Sequence, residues 1–367
     1  MFDLSRGVPD LVHLEIGEPD FPTPSHIIEA AKNALDEGHT RYTPNAGDPE
    51  LLKRISEKLS KDNKIEADPK SQIMVSSGAM QAISSTILVT INPGDEVLIP
   101  DPGYESFSRQ VIFAGGIPVA VQVKQEDLFR LNPGALEEAM TRKTKMIIIN
   151  SPSNPTGAMM TRKDLEGVAE LAQRRDLLVV ADEIYEKLIY DGMEHVSIAS
   201  LPGMSDRTIT VYSFSKTYAM TGWRVGYAVG PTPIMKEMTK IQEFSVSCAA
   251  AVCQRAALAA LDGPQDCVKE MVSEYARRRD FMYKELTELE QLTCVKPKGA
   301  FYLFPDVSGT NMRSEEASEF LLKKGKVVTV PGVAFGKCGD DFIRLSLGNS
   351  MENLEIAARR IRGALEN

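Results

Sequence analysis

From about residue 70 the chain alternates between short apolar runs and stretches with helical spacing of apolar positions. The runs lie at 72–75, 96–99, 117–123, 145–149, 177–181, 208–212 and 224–229. Most are apolar throughout rather than alternating. That pattern predicts strands covered on both faces, as in a helix-flanked and mainly parallel sheet. Helical spacing between the runs predicts helices over 79–89, 164–174 and 183–189. Strands alternating with helices imply an α/β layer architecture, here with seven strands.

After about residue 230 the character changes. Residues 234–261 read as one helix rich in Ala and Met, and 267–289 as a helix long enough to bridge two lobes. Short strand-like pieces follow at 293–295, 300–304, 327–330 and 342–345, then a final helix over 351–364. This predicts a smaller α+β domain, which the opening segment 11–16 joins or bridges. The expected division is a large domain over 20–264 and a small domain from 1–19 and 265–367.

Composition narrows the function. The 367 residues carry a net charge of −9, which argues against nucleic-acid binding and against an anionic membrane surface. The basic run Arg277-Arg278-Arg279 reads as a solvated helix face. No secretory segment precedes Phe2-Asp3-Leu4, and no apolar run is long enough to span a bilayer. The five cysteines contain no CxxC, which fits a reducing cytoplasm. The four histidines lack metal-ligand spacing and read as surface or capping residues.

In an open α/β sheet, ligands bind beyond the carboxyl ends of the strands. Each predicted strand here ends on residues with chemistry. The run at 208–212 leads into Ser213-Phe214-Ser215-Lys216-Thr217, and Arg224 follows in Thr221-Gly222-Trp223-Arg224-Val225-Gly226. An amine can condense with an aldehyde, while hydroxyls and a guanidinium can bind a phosphate. Pyridoxal phosphate carries both groups, and its enzymes hold it as a lysine Schiff base with a carboxylate on the ring nitrogen. Asp182, after the apolar run at 177–181, is a candidate for that carboxylate or for a helix N-cap. Gly78, Ala79 and Met80 open a helix whose amides could receive an anion. Tyr104 could stack on a planar ring or pack beneath a helix. Asn154 sits in the rigid loop 150–157, where its amide could donate to a ring oxygen.

With these residues the chain resembles the class I and II aminotransferases, the fold type I pyridoxal-phosphate enzymes, and within them the prokaryotic aspartate and aromatic group. The likeness runs from Ile16-Gly17-Glu18-Pro19-Asp20-Phe21 to Phe342-Ile343-Arg344-Leu345-Ser346. The resemblance implies that Lys216 carries the cofactor and moves the proton. It implies that Asp182 pairs with the pyridinium nitrogen, and that Asn154 and Tyr185 bind the ring hydroxyl oxygen. Tyr104 then stacks on the ring, while Gly78, Ala79, Ser213, Ser215 and Arg224 bind the phosphate. Tyr42 would reach the phosphate of a neighbouring subunit in a homodimer with shared active sites. Arg344 would grip the substrate α-carboxylate beside Gly17. Relatives usually carry a longer N-terminal helix or arm that packs on the partner, so either the sequence is trimmed here or the arm is short, and the resemblance leaves the dimer contact there open. Met80 stands where some aspartate-specific relatives have a lysine, which favours an apolar or mixed side-chain pocket.

The expected reaction moves the amino group of an L-amino acid, of the aspartate or aromatic class, to a 2-oxo acid such as 2-oxoglutarate. The alternatives are a β-eliminating C–S lyase on the same fold and a sensor that only binds an amino acid. A sensor that regulates transcription would need a DNA-binding domain, for which the chain has neither the length nor a basic patch.

Overall fold

The computed structural model describes residues 9–366. The reading that no leader precedes Phe2 falls on residues 1–8, outside the described residues, as does the first part of the predicted small domain. In chain order the strands are β1 (Val12–His13), β2 (Ile73–Ser76), β3 (Glu96–Asp101), β4 (Ile117–Gln122), β5 (Thr144–Asn150) and β6 (Leu178–Asp182). They continue as β7 (Thr208–Ser213), β8 (Gly226–Val229), β9 (Tyr302–Leu303), β10 (Val327–Val328), β11 (Val330–Pro331) and β12 (Ile343–Ser346).

The central sheet has seven strands in the order β2-β8-β7-β6-β5-β3-β4. Only β8 runs against its neighbours. The middle strands are apolar on both faces because helices cover both. Ile147 and Ile149 of β5 face one apolar cluster, while Met146 and Ile148 face another. The antiparallel course of β8 matters for the site. Its first residues lie at the edge where β2 and β7 end, with Gly226 opposite both Ser76 and Ser213.

The C-terminal part forms a three-stranded sheet, β11-β12-β9, and β1 pairs in parallel with β10. The opening segment therefore joins the C-terminal lobe. Val12 and Leu14 share a core with Met271, Phe301, Leu345 and Ile361.

Four expectations need correction. Residues 183–189 form no helix. Glu186 N–H bonds Glu183 O and Leu188 N–H bonds Tyr185 O in successive turns, and Ile189 bridges to Gly299. Helical continuation loses because Glu183, Tyr185 and Glu186 are each buried toward different partners. The predicted helix over 234–261 is two helices, Thr232–Ser245 and Ala251–Asp262. Between them Ser247 takes φ +63°, which ends a right-handed helix.

The run at 277–279 is not a solvated face, since only Arg277 lies open. Arg278 and Arg279 are buried, and each is tied to carboxylates and a carbonyl, Arg278 to Asp20, Glu274 and Leu347 O, and Arg279 to Asp191, Asp280 and Pro297 O. Buried guanidinium groups need such satisfaction. His195 is likewise inside, with Nε2 2.9 Å from a Glu183 carboxylate oxygen that also accepts from Tyr212 Oη. Among the described residues no helix is long and apolar enough to cross a membrane.

Candidate active site

The carboxyl ends of the sheet strands meet the C-terminal lobe in a pocket of about 320 Å³. Strand register explains how distant residues converge. Asn150 pairs with Asp182, and Asp182 with Val211, so β5 and β6 end level and β7 runs two residues further to Ser213. From those ends the pocket receives Asn150, Asn154, Asp182, Tyr185, Ser213, Ser215 and Lys216. Ala79, Met80 and Tyr104 come from the ends of β2 and β3, and Arg224 from the segment before β8. The C-terminal lobe adds Tyr302 and Arg344, and the opening segment adds Gly17.

Two groups in the pocket are held away from their ordinary charge states. Asp182 is 2 % exposed, and burial pushes its carboxyl up to about 7. Ile184 N–H donates to its Oδ1 at 3.3 Å, so it caps a turn rather than a helix. No cation forms an ion pair with it among the described residues. Lys216 is drawn down to about 8, chiefly by burial. Its Nζ donates to Gly17 O at 2.5 Å. Near neutral pH the pocket therefore holds an amine drawn toward its neutral form and a carboxyl group drawn toward its protonated form, with no ion pair to hold it ionised among the described residues.

An anion cradle lies beside them. Gly78 precedes the helix Ala79–Thr90, whose first amides have no side-chain cap among the described residues. Free amides at a helix start, with the positive end of the dipole, suit a phosphate. Arg224 takes φ +53° and bonds Thr221 O through Nη1, and its Nη2 crowds the place where a Cβ on Gly78 would stand. Ser213 Oγ accepts from Ser215 N–H at 3.1 Å, which fixes both hydroxyl-bearing residues at the same end. A buried unpaired carboxylate, an amine and this cradle fit pyridoxal phosphate by its ring nitrogen, aldehyde and phosphate.

Opposite the cradle, Arg344 is 6 % exposed. Nη1 donates to Asn154 Oδ1 at 3.0 Å and Nη2 to Glu15 O at 2.5 Å, while Nε is buried without a partner among the described residues. The guanidinium lies 4.6 Å from the Tyr302 ring centre and 5.0 Å from that of Phe335. Tyr185 Oη is 2.8 Å from Tyr302 Oη.

Of the residues expected from sequence, twelve of fourteen line this pocket. Gly78 stands behind it, against Arg224. Tyr42 does not reach it and is 86 % exposed on its own chain. Sequence reasoning missed Ile83, Asn150, Ile184, Thr221 and Tyr302. Asn150 was the one most easily found, as the polar end of the apolar run at 145–149.

A family model described as "Aminotransferase class I and II" matches residues 9–361. The chain is 49% identical over its whole length to the aspartate aminotransferase of Pyrococcus abyssi, covering 94% of that protein. It is 46% identical to aromatic-amino-acid aminotransferase 2 of Thermococcus litoralis, again over 100% of this chain and 94% of the relative. The crystal structure of the aromatic aminotransferase from Pyrococcus horikoshii superimposes with a TM-score of 0.96 at 49% identity, covering 98% of this chain and 96% of that one. The amine, carboxylate and anion cradle at the strand ends are thus those of a whole-chain match, and the chain belongs to the class I and II aminotransferases, pyridoxal-phosphate-dependent enzymes.

Proposed function

We propose that this enzyme moves the amino group of an L-amino acid of the aspartate or aromatic class to 2-oxoglutarate, as a homodimer with shared sites. The carrying observation is one pocket lined both by Lys216, whose amine is drawn toward its neutral form, and by buried Arg344, whose Nε has no hydrogen-bond partner among the described residues. A base and a carboxylate receptor in one pocket are what an α-amino acid requires.

In this reading Lys216 would hold the cofactor by its aldehyde. Asp182 would meet the ring nitrogen, and Asn154 and Tyr185 the ring hydroxyl oxygen. Tyr104 would stack on the ring. Gly78, Ala79, Ser213, Ser215 and Arg224 would hold the phosphate, with Met80 beside them. When bound, pyridoxal phosphate supplies the electron sink that makes the substrate Cα–H acidic. Once the substrate amine has taken its place on the cofactor, the freed Nζ of Lys216 would take that proton, and the burial that draws this amine down to about 8 in the cofactor-free protein favours its neutral form. Arg344 fixes the α-carboxylate beside Gly17 by a fork that a lysine would not reproduce. Asn154 Oδ1 and Glu15 O hold that fork in place.

The substrate class rests on similarity to relatives named for aspartate and for aromatic amino acids, at 49% and 46% identity. Met80 lines the pocket with its sulfur 3.2 Å from Gln110 Nε2, and offers no charge to a distal carboxylate. That supports a broad or aromatic-tolerant pocket. Homodimerisation is supported by Tyr42, Phe113 and Phe244, exposed by 86 %, 78 % and 86 % on the single chain. We place the domain boundaries at 20–264 for the large domain and at 1–19 with 265–367 for the small one. Support comes from the long helix Asp266–Thr287, which begins at the second junction. Free thiols at all five cysteines support a reducing compartment such as the cytoplasm.

A panel of amino donors with 2-oxoglutarate tests the reading. Glutamate should form with aspartate, tyrosine and phenylalanine. Steady release of pyruvate and ammonia without glutamate would indicate elimination instead. An aspartate preference above about a hundredfold, roughly 2.7 kcal/mol, would exclude the aromatic-tolerant pocket.

A further inference from the structure

We propose that Tyr302 is a positioning residue with two separable duties, one for its hydroxyl and one for its ring. The inference rests on the roles proposed above for Tyr185 and Arg344. Tyr302 arrives through β9, whose antiparallel pairing with β12 sets Tyr302 against Ser346, two residues from Arg344. It is 1 % exposed, and Tyr185 is 2 % exposed. Their oxygens are 2.8 Å apart. A phenol carries one proton, so one hydroxyl donates and the other accepts. Neither phenol oxygen has another hydrogen-bond partner among the described residues.

The two orientations have different consequences. If Tyr185 donated to Tyr302, it would have no proton left for an oxygen arriving in the pocket. If Tyr302 donates to Tyr185, the Tyr185 proton is free for that oxygen. The incoming bond then also polarises Tyr185 and strengthens its own donation. We assign the second orientation to the loaded enzyme. The Tyr302 hydroxyl thus serves the cofactor without touching it.

Its ring does other work. The Arg344 guanidinium lies 4.6 Å from the Tyr302 centroid, over the ring face. Such a contact holds the guanidinium plane for a substrate carboxylate. The same hydroxyl explains Gly17, where a Cβ would stand 2.7 Å from Tyr302 Oη.

A double-mutant cycle separates these duties. Tyr302→Phe, Tyr185→Phe and the double variant are compared by equilibrium dialysis of pyridoxal phosphate and by absorbance titration of the bound cofactor. Tyr302→Phe should weaken cofactor binding about two- to tenfold, the range for one neutral hydrogen bond. The midpoint of its absorbance titration should move to higher pH, because a weaker Tyr185 donor favours the ionised ring oxygen less. In the Tyr185→Phe background the same substitution should change binding by less than about twofold. The donor KM should stay unchanged in Tyr302→Phe and rise at least about threefold in Tyr302→Leu, which removes the ring. The Phe variants preserve volume and decide the hydroxyl's duty even where the Leu variant does not fold.

Equal effects of Tyr302→Phe in both backgrounds would overturn the donation. A KM rise as large in Tyr302→Phe as in Tyr302→Leu would overturn the division of duties. Wild-type protein that takes up no cofactor would overturn the functional reading itself, and this inference with it.

Discussion

A Cβ placed on Gly78 would stand 2.7 Å from Nη2 of Arg224, and Gly78 itself has φ +82°. Two demands for glycine therefore meet at one residue, a left-handed backbone and a guanidinium pressed against the chain. The close approach brings Arg224 up to the uncapped start of the helix Ala79–Thr90. Gly78→Ala should strain the turn and push the guanidinium away. Pyridoxal phosphate should then bind about ten- to a hundredfold more weakly, roughly 1.4–2.7 kcal/mol. Equilibrium dialysis measures this, and a loss below about threefold would mean that the approach does not matter for the phosphate.

Asp182 predicts a pH dependence of the cofactor-free protein. Burial raises its folded pKa from 3.8 to about 7. The folded state thus holds this proton more tightly than the unfolded chain. The penalty for ionising Asp182 is absent below the unfolded value, grows as pH rises from 3.8 to 7, and is complete above 7. Asp182→Asn cannot ionise. Relative to wild type, the variant should gain stability between pH 4 and pH 8, by up to about 4 kcal/mol. Denaturant unfolding at several pH values provides the comparison. With pyridoxal phosphate present the order should reverse, since only the carboxylate meets the ring nitrogen as a charge. A pH-independent difference in the cofactor-free protein would refute the assignment.

Much of this site was legible in the sequence because the sheet does most of the positioning. The apolar runs at 145–149, 177–181 and 208–212 match β5, β6 and β7 within a residue or two, and their register makes consecutive strand ends neighbours. Lys216, Asp182 and Asn154 could therefore be grouped from the order of the runs alone. Tyr302 could not, because β9 has only two residues and reaches the pocket from another lobe. Residues 183–189 have helical composition but are recruited into buried contacts spread over the chain. Glu183 bonds Ser197, Tyr212 and His195, and Glu186 bonds Lys58 and Asn63. Local spacing carries no trace of those partners. The burial of Arg278 and Arg279 was hidden for the same reason, since Asp20 and Asp191 are far along the chain.

Lys216 should be the one lysine that cofactor and borohydride together label. Its Nζ lies in the pocket, drawn down to about 8 by burial and bonded to Gly17 O. The neutral amine attacks the aldehyde, so cofactor uptake by the cofactor-free protein should quicken as pH rises toward 8 and level off above it. Stopped-flow absorbance follows the uptake, and peptide mapping after reduction locates the label. A label on any other lysine ends the assignment. Lys216→Arg should keep the charge but lose both the label and the activity.

Tyr42 makes the sharpest claim about assembly. It is 86 % exposed and lies outside the pocket of its own chain. Yet the loop that carries it is fixed from below. Gln254 donates to Thr43 Oγ1 at 2.9 Å and accepts from Asp48 N–H at 2.7 Å, and buried Gln242 donates to Asn45 O. A rigid loop that presents an exposed phenol is expected to meet something, and the proposed target is the phosphate in the neighbouring subunit. A hydrogen bond to a charged acceptor contributes about 1.5–3 kcal/mol, so Tyr42→Phe should loosen the cofactor by roughly ten- to a hundredfold. The exposed position means that the chain's own fold should not suffer. Mixing Tyr42→Phe chains with Lys216→Ala chains decides where the phenol acts. If it crosses to the partner, one site of each mixed dimer carries both defects and the other carries none, so activity recovers above the mean of the two parents. If Tyr42 served its own chain, each mixed dimer would hold one site with each defect, and no recovery would follow. Mixed dimers isolated by two affinity tags and showing no gain, or an active monomer by light scattering, would rule out the shared site.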